Sequence, residues 1–333
     1  MNNNRMFKQK MTIAAFCCLA LFSCTENAGS DNNTTVVKDT PIPTFNADSA
    51  YQYVQQQVDF GPRVANTMAH DMCGEFIASE LQRHGAKVIE QPVYVTAYDG
   101  TSLNGKNIIG SINPEATTRI ILAAHWDTRQ VADQDSVRKN EPILGANDGG
   151  SGVGILLELA RVIGNAENKP DVGVDIIFFD VEDYGRPAFA EDQSGDSGYC
   201  LGSKYWAENP HIEGYSAYYG ILLDMVGSKN PTFLKEGVSR YFAPRIVRKV
   251  WKTAERKGFG NMFINQDGPE LTDDHLYVNQ IAKIPMIDII DLDPSGERTF
   301  FKHWHTHADD MSTIDKESLK GVGVTLLQVL YNE

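Results

Sequence analysis

Four apolar segments rich in Ile, Val, Leu and Phe lie in the middle and towards the end of the chain. They are "RIILAAHWDT" (119–128), "VDIIFFDVED" (174–183), "YYGILLDMVG" (218–227) and "IPMIDIIDLD" (284–293). Continuous apolarity over such lengths is typical of strands that are buried on both faces of a sheet. The pattern therefore predicts a central sheet that is largely parallel.

Apolar residues at helical spacing separate these segments. The spacing predicts helices at 49–63 (ending at Gly61-Pro62), 69–86, 150–164, 244–258 and 313–333. Strands alternating with helices in this way indicate an α/β fold, a three-layer α/β/α sandwich. The length available after the leader allows one large domain or two small ones.

The N-terminus has a different pattern and is set apart from the fold. A basic stretch precedes a short apolar run at 11–23, which is too short to span a bilayer and is typical of a secretory signal. The run ends in "LFSC", which resembles a bacterial lipoprotein signal with Cys24 as the lipidated residue. We therefore expect a signal peptide (1–23), a flexible polar tether (24–43) and a single catalytic domain (44–333). An ordinary signal peptide with an incidental cysteine is the alternative.

A lipidated Cys24 predicts a protein of the bacterial cell envelope that faces the periplasm or the cell surface. The formal net charge is −14, and loss of the signal's three basic residues would make it about −17. Such a surface repels nucleic acid and anionic headgroups, so we expect no nucleic-acid partner and membrane contact through the lipid alone.

Only two of the five cysteines lie beyond the predicted signal and its lipidated residue, Cys73 and Cys200. The sequence leaves open whether they pair. Neither has an obvious catalytic partner nearby, so both are predicted to be structural.

Polar residues that can bind metal end three of the apolar segments. They are His125 and Asp127 on the first, Glu182 and Asp183 on the second, and Asp224 on the third. Ligands bind at this edge of open α/β sheets. Three strands ending in this way predict a functional site there.

Three further segments add residues of the same chemistry. "GANDGGSGV" (145–153) contributes Asp148, "TDDH" (272–275) contributes Asp273, and "FKHWHTHADD" (301–310) contributes His305. Carboxylate oxygen and imidazole nitrogen together form a zinc ligand set, and a catalytic zinc commonly keeps three protein ligands and one open position.

The order of these motifs resembles the zinc aminopeptidase (M28-like) superfamily. Within it, "LLDMVGSKNPTF" (222–233), "TDDHLYV" (272–278) and the "WHTHADD" that contains Trp304 are similar to glutaminyl cyclases, also called glutaminyl-peptide cyclotransferases. This resemblance implies an α/β/α fold with a mixed, largely parallel sheet. It also implies an acyltransferase that converts the N-terminal glutamine of peptides or proteins to pyroglutamate and releases ammonia. We expect the protein to act as a monomer.

By the same resemblance, one zinc ion per chain is held by Asp148, Asp183 and His305. Animal-type cyclases carry a second Glu where this chain has Asp183, which is one methylene shorter, so the ligand geometry is expected to shift. Zinc would polarise the γ-carbonyl of the glutamine.

The resemblance also implies the catalytic residues. Glu182 would move the proton from the α-amine to the leaving nitrogen, and Asp224 and Asp273 would form an acidic cluster with it that shares protons. Asp274, in contrast, is expected to be a helix cap or a surface charge.

For the substrate, Trp304 is predicted to supply a flat wall for the glutamine side chain, with His125 and Tyr199 also at the pocket. The insert that follows Asp183 is expected to loop over this pocket, and its Tyr184 and Phe189 are further candidates for the lining.

A two-zinc aminopeptidase on the same fold is the alternative. In that enzyme His125, Asp148 and Asp224 would hold the second metal, and water would replace the amine as nucleophile. "GANDGGSGV" is equally typical of such a peptidase, and ligand identity leaves both readings open. A catalytically inactive binding module is disfavoured, because every expected carboxylate is present.

Overall fold

The computed structural model describes residues 39–333, so the predicted signal, Cys24 and most of the tether lie outside the described residues. Asp39–Glu333 form one compact unit. In this part of the chain the strands are β1 (Lys87–Thr96), β2 (Ser102–Ile112), β3 (Arg119–His125), β4 (Gly173–Phe179), β5 (Tyr219–Asp224), β6 (Phe233–Lys235), β7 (Phe263–Asp267) and β8 (Met286–Ile290). The α-helices are α1 (Ala47–Asp59), α2 (Met68–Arg83), α3 (Gly150–Asn165), α4 (Leu201–Glu208), α5 (Gly237–Phe242), α6 (Pro244–Arg256), α7 (Asp274–Tyr277) and α8 (Lys316–Tyr331).

Six strands form the central sheet in the order β1-β2-β4-β3-β5-β8. The four apolar segments form β3, β4, β5 and β8, which are all parallel, while β1 and β2 form an antiparallel hairpin at one edge. The strands β6 and β7 pair separately. The predicted mixed, largely parallel sheet is confirmed.

Helices cover both faces of this sheet, as β3 illustrates. Ile120 and Leu122 belong to one apolar cluster, which also contains residues of α1, α2, α3, α6 and α8. Ile121 and Ala123 point to the other face, where they share a cluster with Trp206 of α4. Successive side chains of a strand face opposite sides, so this division confirms the three-layer arrangement.

The hairpin β1–β2 was not predicted from the sequence. Most side chains of β1 are partly or fully exposed, and Pro92 lies within the strand. A proline cannot donate to the hydrogen-bond ladder and is therefore confined to edge strands, which is where β1 lies. A half-exposed edge strand lacks the continuous apolarity that marked the other four.

The carboxyl ends of the parallel strands position the site. Val181, Met225 and His305 all have positive φ values, 48°, 48° and 56°. Positive φ is uncommon for residues other than glycine and clusters at functional sites. The chain therefore turns sharply where it carries the candidate residues. Among residues 39–333, no helix combines the length and apolarity needed to cross a bilayer.

Candidate active site

A cavity of about 220 Å³ opens at the carboxyl edge of the sheet. Eight of the nine predicted site residues line it: Asp148, Asp183, His305, Glu182, Asp224, Asp273, Trp304 and Tyr199. His125, the ninth, lies behind Asp148 and Asp224 with about 1% of its surface exposed. The structure therefore places His125 against carboxylates and outside the cavity lining, contrary to its predicted place at the substrate pocket. A larger groove of about 450 Å³ adjoins the cavity at Phe300 but contains none of the nine.

Asp148, Asp183 and His305 converge at the base of the cavity, with one potential ligand atom from each within 4.8 Å of the others. His305 Nε2 lies 3.1 Å from Asp183 Oδ1 and 3.7 Å from Asp148 Oδ2. The Oδ2 atoms of Asp148 and Asp183 are buried and lack a hydrogen-bond partner among the described residues. Unpartnered carboxylate oxygens beside an imidazole nitrogen fit a divalent cation, and the ligand types suit zinc.

Asp133 orients the imidazole of His305. Its Oδ1 lies 3.0 Å from His305 Nδ1, and both of its oxygens accept hydrogen bonds from the buried Arg129 guanidinium. Burial favours the protonated form of Asp133, but the bonds from His305 and Arg129 outweigh it and hold its pKa below the usual range. With Nδ1–H committed to a carboxylate, Nε2 carries the lone pair that a metal requires. No motif marks Asp133 in the sequence.

A second group of potential ligands surrounds His125. Its Nε2 lies 3.1 Å from Asp148 Oδ1 and 3.2 Å from Asp224 Oδ1. Asp127 has a different task, because its two oxygens accept the backbone N–H groups of Glu182 and Asp183 at 3.0 and 3.1 Å. Asp127 therefore fixes the turn that presents these two acidic residues.

Two residues that are distant in the sequence, Asp309 and Arg63, hold the Asp148 loop. Asp309, from "HADD", accepts the N–H groups of Asn147 and Asp148 at 2.8 and 3.0 Å. Arg63, from "FGPR", is fully buried and donates to the carbonyl oxygens of Leu144 and Gly145. The position of one candidate ligand thus depends on segments from both ends of the domain.

Glu182, Asp224 and Asp273 lie close together on the cavity wall, and the pKa of each is raised. For Glu182 the main cause is burial, opposed by His125 and reinforced by the neighbouring carboxylates. Burial and the nearby Asp224 raise the pKa of Asp273 to about 6. Burial is also the main cause for Asp224. Like charges in one buried cluster favour sharing of protons.

The expectation that Asp274 is a cap or a surface charge is wrong. Asp273 caps α7 by accepting the N–H of Asp274, and Asp274 is fully buried. Both oxygens of Asp288, within β8, are also buried without a partner among the described residues, and burial raises the pKa of this carboxyl strongly. Sequence reasoning missed Asp288 because it lies inside an apolar run.

Aromatic rings form one wall of the cavity. The indole of Trp304 stacks on the His305 ring, with 3.7 Å between the ring centroids, and packs against Phe300, with 4.7 Å between the centroids. The ring of Tyr199 lies nearly parallel to that of His305 at 6.5 Å. Two other expected lining residues do not reach the cavity. Tyr184 packs in a small apolar cluster that includes Leu103 and Val181, and Phe189 lies beneath the Lys139 ammonium at the surface.

The comparisons with known proteins agree with this geometry. Residues 107–330 match the model of peptidase family M28. The chain is similar to the glutaminyl-peptide cyclotransferase of Dictyostelium discoideum, with 26% identity over 303 residues that cover 78% of this chain and 77% of the relative.

Two solved structures cover the described domain almost completely. The crystal structure of a Bacteroides thetaiotaomicron glutaminyl cyclase bound to N-acetylhistamine has 54% identity and a TM-score of 0.85, covering 88% of this chain and all of that one. The crystal structure of a Zn-dependent exopeptidase from Parabacteroides distasonis matches with the same identity, TM-score and coverage. The family and the Zn-dependent exopeptidase among these neighbours suggest zinc as the metal of the site.

Proposed function

The chain belongs to peptidase family M28, and from this premise we infer that it is a glutaminyl-peptide cyclotransferase. It converts the N-terminal glutamine of peptides or proteins to pyroglutamate and releases ammonia. The observation that carries this inference is the cavity itself, where the Trp304 indole and the Glu182 carboxylate line the same space of about 220 Å³. That volume lies below the ~300–1,000 Å³ typical of small-molecule sites and suits a single folded side chain.

One zinc ion per chain is proposed, held by Asp148, Asp183 and His305. Asp148 Oδ2, which has no hydrogen-bond partner among the described residues, lies 3.7 Å from His305 Nε2 of this triad, whereas Asp148 Oδ1 and Asp224 Oδ1 of the second group lie 3.1 and 3.2 Å from His125 Nε2. Zinc at the triad would supply a Lewis acid for the γ-carbonyl oxygen of the glutamine.

Glu182 carries the proton in this reaction. The α-amine nitrogen attacks the γ-carboxamide carbon, a carbon–nitrogen bond forms to close the ring, and the bond to the amide nitrogen breaks. The proton lost by the amine is taken by Glu182 and returned to the departing nitrogen, which leaves as ammonia. The raised pKa of Glu182, caused by burial and by its acidic neighbours, suits a carboxyl group that both accepts and donates a proton.

Trp304 and Tyr199 orient the substrate. A planar indole beside the carboxylate base restricts the flat carboxamide to a few orientations at a small entropy cost. Asp224 and Asp273 form one acidic cluster with Glu182 and share protons with it, which sets how readily Glu182 accepts and releases a proton.

A two-metal aminopeptidase is the second candidate, favoured by the His125, Asp148 and Asp224 group. One experiment distinguishes the cyclase from the aminopeptidase. Peptides with N-terminal Gln and N-terminal Leu are given to the purified protein, and metal content is measured in parallel. Ammonia release from the Gln peptide alone, abolished by a chelator and restored by zinc, supports the cyclase. Free leucine together with two zinc ions per chain would establish the peptidase.

We also propose that Cys24 anchors the protein in the cell envelope, with the membrane contacted only through lipid and with a monomeric catalytic domain. The support is the "LFSC" motif and the polar segment that follows it. Metabolic labelling with a radioactive fatty acid tests the anchor. Label in the wild type and none in Cys24→Ala is the expected result, and equal labelling would contradict it.

A further inference from the structure

Cys200 contacts the catalytic machinery, contrary to the expectation that it is merely structural. It is fully buried, precedes the first residue of α4 and has a φ of 58°. It does not form a disulfide, and neither does Cys73, the other cysteine of the described residues. The question is what a free thiol does at this position.

Two hydrogen bonds join Cys200 to Glu182. The Cys200 backbone N–H donates to the carbonyl oxygen of Glu182 at 2.8 Å. The Cys200 thiol donates to Glu182 Oε1, with sulfur and oxygen 3.1 Å apart. One residue thus holds both the main chain and the side chain of the proposed base.

The start of α4 is fixed closely against the end of β4. The N–H of Leu201 donates to the carbonyl oxygen of Val181 at 3.2 Å. A Cβ atom on Gly202 would lie only 2.1 Å from the carbonyl oxygen of Asp180, so only glycine permits this approach. The sulfur of Cys200 is therefore held in place by the main chain on both sides of the contact.

Within residues 39–333, the thiol of Cys200 makes the only hydrogen bond to the carboxylate of Glu182. Burial raises the pKa of the thiol well above its usual value, and the charge of Glu182 adds to this effect. The thiol therefore stays protonated and acts as a donor. Oε2 of Glu182 has no hydrogen-bond partner among the described residues.

We propose that Cys200 is a positioning residue, whose thiol holds Oε1 of Glu182 so that Oε2 is aimed at the α-amine of the substrate. This inference rests on the proposed function of Glu182 as the base. A carboxylate held by one donor on one oxygen needs no reorientation at the moment of proton transfer.

Two substitutions at position 200 separate the thiol's hydrogen bond from its volume. Cys200→Ala removes the donor, and Cys200→Ser restores one of similar size. For cyclisation of a Gln peptide we expect kcat to fall about tenfold in Cys200→Ala with KM within twofold of wild type, and to recover to within about threefold in Cys200→Ser. Zinc content should be unchanged in both, because neither touches the ligand triad.

Cys73→Ala is the matched control, since Cys73 is equally buried but lies in α2. It should lose stability and keep its kcat. An unchanged kcat in Cys200→Ala overturns the proposal. So does a serine variant no better than the alanine variant, and so does a change confined to KM.

Infrared spectroscopy tests the same contact if Cys200→Ala does not fold. The difference spectrum of wild type minus Cys200→Ser isolates the S–H stretching band of Cys200. We expect this band at the lower frequency of a bonded thiol, and at a higher one when the same pair is compared in a Glu182→Ala background. An S–H band at the same frequency with and without the Glu182 carboxylate would overturn the proposal. If the wild type released no ammonia from Gln peptides, the proposed function would fail while this spectral test would still report on the contact.

Discussion

His305 Nδ1 lies 3.0 Å from Oδ1 of Asp133, a residue 172 positions earlier in the chain. This contact fixes which nitrogen of the imidazole carries the proton and which remains free to bind metal. It places Asp133 among the residues on which the site depends, although Asp133 itself does not line the cavity.

Asp133→Asn should weaken zinc binding about 10- to 100-fold, the effect typical of losing a carboxylate that orients a ligating histidine. Competition with a chromogenic chelator measures the affinity. Asp135→Asn is the control, because Asp135 is half-buried and accepts backbone N–H groups from His307 and Val137 without contacting the imidazole of His305. Equal affinities in the two variants would argue against the orienting role.

Glu182→Gln should lower kcat for a Gln peptide by about 10²- to 10⁴-fold, because the amide keeps the shape of the side chain and cannot accept the proton. Bound zinc and the circular dichroism spectrum should match those of the wild type. Full turnover in this variant would remove Glu182 from the reaction.

Trp304→Ala should raise KM for a Gln peptide about tenfold, through loss of the flat wall and its stacking. Trp304→Phe should have a smaller effect, since a ring remains. Steady-state kinetics measure both, with Tyr241→Ala as the control because Tyr241 is 78% exposed. Equal KM values for the Ala and Phe variants would contradict the stacking argument.

Glu236 should make the stability of the fold depend on pH. Its buried carboxylate accepts the N–H groups of Val238, Ser239 and Leu271 and contacts His275 Nε2 at 3.0 Å. Burial opposes ionisation, but the hydrogen bonds prevail, with that of His275 the largest, and hold the pKa of Glu236 at about 2.

A carboxyl whose folded-state pKa is depressed adds stability above its unfolded pKa, near 4.5, and loses it as the pH falls towards 2. Glu236→Gln should therefore lower the free energy of unfolding by about 2 kcal/mol at neutral pH. The difference in the free energy of unfolding between this variant and the wild type should become smaller below about pH 4.5. Urea unfolding across this range measures it, with the exposed Glu317→Gln as control. A gap independent of pH would show that the charge of Glu236 is not its cause.

The fold could be predicted as far as continuous apolarity marked it. The apolar segments of β3, β4, β5 and β8 predicted strands that are buried on both faces. These strands are parallel, and parallel strands bring their carboxyl ends to one edge of a sheet. His125 and Asp224 were therefore expected near each other although 99 residues separate them. The edge hairpin lacked such a signal because one of its strands is half exposed.

The site was less predictable where no periodic pattern connects its residues. Asp133 lies in the irregular chain between β3 and α3, and Cys200 reaches Glu182 only after an insert without regular structure. Asp274 was expected to be a helix cap or a surface charge, but Asp273 caps the helix and both residues are buried, since the residue that begins a helix of four residues cannot be read from "TDDH". Contacts of this kind depend on loop geometry, which local sequence does not encode.

The position of Asp309 in the sequence determines when, during synthesis of the chain, the metal site can assemble. Its carboxylate clamps the amides of Asn147 and Asp148, and His305 lies four residues before it. A nascent chain that ends before residue 305 contains the two carboxylate ligands but lacks the imidazole and the clamp. The metal triad therefore closes only after residue 305 has been synthesised, and a product of translation that stops earlier has neither the full ligand set nor the fixed loop.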